Sequence, residues 1–76
     1  MKERIIGQVK RVNGPVIEAL GVTDAQMLEL VRVGEARLVG EIIKLSGDNA
    51  IIQVYEDTTG LAPLDNIYGT GMPLSV

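Results

Sequence analysis

Apolar and polar positions alternate along this chain in short stretches of two-residue period, broken by glycine-marked turns. The clearest stretch runs from residue 38 to residue 61, LVGEIIKLSGDNAIIQVYEDTTGL. It predicts a β-hairpin with arms over residues 38–45 and 50–55. Both arms are rich in β-branched residues, which fit a pleated surface. Ser46-Gly47-Asp48-Asn49 supplies the turn: glycine frees φ, and the short polar side chains bond nearby backbone. Glu56-Asp57-Thr58-Thr59-Gly60 ends the second arm. The alternation is imperfect. Val39, Glu41, Ile43 and Leu45 share one face of the first arm, and Leu38, Gly40, Ile42 and Lys44 the other. A sheet with one wet face reads more cleanly, so apolar residues on both faces predict a barrel interior on one side and a neighbouring protein surface on the other. Close backbone packing is expected at Gly40, where a valine should cost ~1–2 kcal/mol.

Residues 4–12 predict a further strand, with Ile5, Ile6, Val9 and Val12. Its apolar face switches near Lys10-Arg11, as at a bulge. Asn13-Gly14-Pro15 is a turn signal, residues 16–20 a short strand, and Gly21 its end. Residues 22–34 read two ways. Thr23 and Gln26 have the spacing of a helix capping box, with Ala25, Leu28 and Val31 on one helical face. As a strand, the same stretch puts Leu28, Leu30 and Arg32 on one face and Glu29, Val31 and Val33 on the other. A turn follows at Gly34-Glu35-Ala36-Arg37. After the hairpin come an irregular connector over residues 61–66, then Ile67-Tyr68 and residues 73–76 as strand flanking a Gly69-Thr70-Gly71 turn. Strands recurring every ~8–12 residues between glycine-marked turns predict a small all-β barrel or sandwich.

Composition narrows the chemistry. The chain has 76 residues, a net charge of −3, two tyrosines, and no Phe, Trp, His or Cys. That length supports one domain, and a domain so small buries only about 60% of the surface its unfolded chain exposes. Acidic balance and scattered basic residues argue against a nucleic-acid partner, and two tyrosines make no base-stacking platform. No apolar run is long enough to span a membrane, and no secretion signal is evident. Without Cys or His there is no disulfide, thiolate nucleophile, imidazole base or Cys/His metal site. None of Lys2, Lys10 and Lys44 follows a glycine, which rules out a phosphate-binding P-loop.

The remaining motifs read as structural. Glu56-Asp57 with Thr58 and Thr59 could offer oxygens to a hard cation, but the spacing fits no calcium loop and a capped, solvated turn is the simpler reading. Glu41 and Lys44 are expected as a surface ion pair rather than an acid/base pair. Gly69-Thr70-Gly71 is too short for phosphate binding, and Met27 and Met72 are expected to serve packing. No catalytic, cofactor-binding or metal-binding residue is therefore assigned.

The hairpin wording resembles a known family. Leu38-Val39-Gly40-Glu41-Ile42-Ile43, Gly47-Asp48 and Ile52-Gln53-Val54-Tyr55-Glu56-Asp57-Thr58-Thr59-Gly60-Leu61 are similar to the N-terminal domain of the catalytic A subunit of archaeal and vacuolar-type ATPases. Gly7, Val9, Val12, Gly14-Pro15-Val16 match that family's opening. Ala25, Met27, Glu29-Leu30-Val31 and Val33-Gly34 match its third strand, and Thr70-Gly71 with Pro73-Leu74-Ser75-Val76 its last. The connector Ala62-Pro63-Leu64-Asp65-Asn66 and the Ile67-Tyr68 pair depart from the family wording. The resemblance implies a closed six-stranded antiparallel β-barrel, with residues 26–33 mostly strand. It implies a place in the crown of an alternating A3B3 hexamer, beside B subunits and near peripheral stalks, on the cytoplasmic side of a membrane. The complete subunit would couple ATP hydrolysis or synthesis to proton or sodium movement. ATP and Mg would bind beyond Val76, because the family's P-loop lysine, catalytic glutamate and arginine finger match no residue here. The chain still reads as strand at Val76, which suits a fragment of something longer. A freestanding β-barrel adaptor is the alternative from the residues alone.

Overall fold

The computed structural model describes residues 4–73. Six strands account for most of them: β1 (Arg4–Asn13), β2 (Val16–Leu20), β3 (Glu29–Val33), β4 (Leu38–Ser46), β5 (Asn49–Val54) and β6 (Asn66–Pro73). They close in the order β1-β2-β5-β4-β3-β6, with every neighbouring pair antiparallel. The expected all-β, closed six-stranded antiparallel barrel is what forms, and the described residues contain no helix.

Closure depends on long strands that change partners. β1 pairs through Arg4 to Gln8 with β6 and through Gln8 to Asn13 with β2. β4 likewise pairs first with β3 and then with β5. Bulges make these bends. In β1 the register shifts between Ile5 and Gly7 and again between Val9 and Arg11. Each shift changes which side chains point inward, so Ile6 and Val9 are both buried although three residues apart, and Val12 packs partly against them. The second shift is the switch expected near Lys10-Arg11. A third bulge, between Ile42 and Lys44, explains the mixed faces of β4. Ile42 points inward, Ile43 is exposed, and Leu45 returns to pack against the core.

The core is small and aliphatic. Ile6, Val9, Ile17, Ala19, Val22, Val31, Val33, Ile42, Ala50, Ile52, Val54 and Ile67 fill the barrel, with every strand contributing. Two hairpins use glycine in the same way. Asn13 pairs with Val16 around Gly14-Pro15, and Ser46 with Asn49 around Gly47-Asp48. Gly14 and Gly47 supply φ values of 63° and 61° at the first central position, where a tight hairpin turn requires positive φ.

Two readings are corrected. Residues 21–28 form no helix: Asp24 and Leu28 have φ of 59° and 66°, which a right-handed helix excludes. The segment instead crosses one end of the barrel, held by Val22 N–H to Asp48 O (2.7 Å), Thr23 N–H to Ile6 O (3.0 Å) and Leu28 N–H to Ile42 O (2.8 Å). As the strand reading expected, residues 26–33 are mostly strand: Glu29–Val33 form β3, entered through a turn at residues 26–28. Gly69-Thr70-Gly71 is not a turn either. β6 runs through it unbroken to Pro73, and Gly71 takes φ 75° beside the β3–β6 register shift between Glu29 and Val31. Expectations for residues 74–76 lie outside the described residues.

Candidate functional site

The motifs with chemical potential prove to be fastenings. Glu56 accepts a 2.6 Å hydrogen bond from Val39 N–H. Asp57 accepts one from Thr59 N–H at 2.9 Å, and Thr58 donates through Oγ1 to Gly14 O at 2.8 Å. The acidic turn therefore clamps the β5 exit to the start of β4 and to the β1–β2 hairpin. The bonds from Thr59 hold the Asp57 carboxyl below its ordinary pKa. Among the described residues no group of three His, Cys, Asp or Glu side chains is placed to hold a metal ion.

Glu41 does not pair with Lys44. Its carboxylate accepts the Tyr55 hydroxyl at 2.8 Å, while Lys44 lies three residues further along β4, roughly 10 Å away at strand rise. Tyr55 is exposed, and this bond raises its phenol above the ordinary value. A group with a raised folded pKa contributes stability in full below its unfolded pKa, near 10 for tyrosine, and loses it as pH rises through the folded value. Stability is thus expected to fall from about pH 10 upward, and Tyr55→Phe to flatten that alkaline limb. Denaturant midpoints at stepped pH check this; parallel limbs for the two proteins would refute it.

Thr70 donates to Leu30 O at 2.8 Å, joining β6 to β3. Arg37 stacks over the Tyr68 ring, 3.8 Å from its centroid, and Arg32 Nε donates to Arg37 O at 2.8 Å. No residue pattern announced that stack, because the partners lie on segments far apart in sequence. The one buried charged side chain among the described residues is Glu29, 1% exposed. Oε1 accepts Gln26 N–H at 3.0 Å and Oε2 accepts Gly71 N–H at 2.7 Å. It bridges the 26–28 turn to β6 where the β3–β6 ladder is bulged. Strand alternation placed it beside Val31 and Val33, but its two backbone partners come from segments that alternation does not relate.

The outer surface carries the rest. Ile5, Met27, Leu28, Ile43, Tyr55, Leu64 and Met72 are large apolar side chains exposed to solvent. Met27 and Met72 are therefore surface residues, not core packing as expected, because the 26–28 turn and the last residues of β6 lie outside the barrel wall. Among the described residues no helix is long and apolar enough to cross a membrane.

The described residues thus form a closed barrel whose polar motifs hydrogen-bond within the barrel itself. Residues 9–71 match the ATP synthase alpha/beta family, beta-barrel domain, and the chain belongs to that family. Its similarity extends to particular members. Over 70 residues, 92% of this chain, it is 60% identical to the A subunit of the A-type ATP synthase of Metallosphaera sedula. Over the same share it is 53% identical to the corresponding A subunits of Saccharolobus islandicus and Saccharolobus solfataricus. The chain spans about 12% of the length of these relatives.

Proposed function

We propose that this barrel is the N-terminal domain of the catalytic A subunit of an A-type rotary ATP synthase, and that its work is assembly. The observation carrying this reading is the 60% identity to the Metallosphaera protein across 92% of the chain. The closed barrel with apolar side chains on its outer wall supports it. In this role the barrel stands in the crown of an alternating A3B3 ring, against B subunits and within reach of peripheral stalks. The complex is attached to the cytoplasmic side of a membrane. ATP and Mg bind in the part of the subunit that follows, and the complex couples ATP synthesis or hydrolysis to proton or sodium transport. A closed barrel suits a ring position because it offers no free sheet edge to a wrong partner. Neighbouring subunits then add stability that a small core lacks.

Native mass spectrometry of the purified protein tests this. The expected result is a chain several times heavier than 8.2 kDa that hydrolyses ATP, while the 76-residue segment shows no turnover. A native chain of about this segment's mass, or turnover by the segment itself, would overturn the reading.

A further inference from the structure

Residues 21–28 cross the barrel end at which β1 begins and β6 finishes, and they are lightly fastened. Gly21, Thr23, Asp24, Gln26, Met27 and Leu28 are exposed, and Val22 alone is buried. Val22 seats on Gly7, where a Cβ would stand 3.0 Å from Val22 Cγ2. Backbone bonds run to Asp48, Ile6 and Ile42. Arg4 adds an exposed ion pair with Asp24, 3.1 Å, and a bond to Asp24 O at 2.7 Å; such surface pairs contribute little. Left-handed backbone stands at both ends of the segment, at Gly21 (φ 64°) and Leu28 (φ 66°), and at Asp24 between them (φ 59°). Glycine adopts that conformation freely, whereas leucine is strained in it. Opening the segment would release the strain at Leu28.

One group joins this segment to the last strand. The buried Glu29 carboxylate holds Gln26 N–H with one oxygen and Gly71 N–H with the other. We infer that residues 21–28 are a hinged strap that opens as one unit with the end of β6 while the rest of the barrel stays closed, with Glu29 as the bolt between the two. A pull on the chain at Pro73 withdraws the Gly71 amide. Glu29 is then a buried acceptor with half its partners gone, which is costly, so the Gln26 amide is released with it. The strap swings about Gly21 and Leu28, where terminal residues can absorb the backbone rotation, and lifts Val22 off Gly7. The β2–β5 and β4–β5 ladders, which meet at Ile17, Ile52 and Ile42, include none of the strap and hold the barrel together. Cooperative units of this kind open at a free energy below that of global unfolding. The barrel thus carries a conformational device in which the state of its last strand is passed to an exposed segment far away in sequence.

Amide hydrogen exchange of the native full-length protein, read residue by residue from fragmented peptic peptides, tests this. The bonded amides of Val22, Thr23, Gln26, Leu28 and Gly71 should share one protection factor, at least about tenfold below that of the β5 ladder amides. Strap protection equal to that of β5, or Gly71 protection unrelated to the strap, would overturn the inference. Two variants then probe the bolt and the hinge. Glu29→Gln keeps the side-chain volume and loses one acceptor; it should speed exchange at Val22 and Thr23, which Glu29 does not touch, by the same factor as at Gln26 and Gly71. Acceleration confined to Gln26 and Gly71 would show two local bonds rather than one unit. Leu28→Gly, at an exposed position, relieves the strain of the closed strap and should slow exchange at Val22, Thr23 and Gln26 several-fold. In an unstrained loop glycine would speed it, so faster or unchanged exchange would overturn the hinge.

Discussion

Glu29→Ala is expected to lower stability by ~3 kcal/mol. The carboxylate is 1% exposed and its two oxygens accept the Gln26 and Gly71 amides. Removing an acceptor leaves a buried donor unpaired, at ~1–3 kcal/mol each, and hydrogen bonds to a charged group lie at the upper end. Alanine also leaves a void against Gly69 and Ile6, whose atoms crowd the same space. In a domain this size ~3 kcal/mol corresponds to a melting temperature lower by at least ~10 °C. Glu29→Gln keeps the volume and one acceptor oxygen, so roughly half the loss is expected. Thermal unfolding by circular dichroism checks both; an alanine variant within ~1 kcal/mol of the parent would show that the bridge is not structural.

Gly40→Val is expected to cost ~2–3 kcal/mol by overpacking. Gly40 sits where β4 passes from β3 to β5, paired with Val31 on one side and Val54 on the other. A Cβ there would stand 2.9 Å from the Gln53 carbonyl oxygen and 3.0 Å from Ile52 Cγ2. The carbonyl belongs to a ladder strand and yields only if β5 shifts. Valine then adds two further carbons beside Ile52 and Val54. Replacing glycine lowers the entropy of the unfolded chain, a stabilisation of ~0.4–1 kcal/mol that offsets only part of the clash. Gly40→Ala should therefore fall between parent and valine. Equal melting curves for all three would mean that β4 and β5 separate at this point without strain.

Much of this architecture is written in local pattern. The β4–β5 hairpin, the Gly14-Pro15 turn and the switch of face at Lys10-Arg11 all follow from residue types within a few positions of one another. What local pattern missed has a common cause: it depends on what lies across the barrel. Gly69 and Gly71 look like a turn because glycine usually breaks strands. In β6 one makes room for Glu29 and Ile6, and the other relaxes a bulge. Thr23 and Gln26 have capping spacing, yet the bonds that organise residues 21–28 run to Ile6, Ile42 and Asp48, outside the segment. Ile43 and Leu45 looked like one apolar face until the bulge between Ile42 and Lys44 separated them. The polar motifs at residues 56–59 were easier to read. The acidic and threonine side chains there sit where a strand end needs acceptors and donors.

The position of β6 between β1 and β3 matters while the chain is being made. As the polypeptide leaves the ribosome, five strands can meet before the sixth has emerged. During that interval β1 and β3 present unsatisfied backbone groups along facing margins, a template for stray pairing. Only when Asn66–Pro73 clears the exit tunnel does a single strand seal both margins together. Completion of the barrel is thus timed by emergence of its last strand, and a pause in synthesis while residues 66–73 are still inside the tunnel would prolong the vulnerable open state more than a pause after they have emerged.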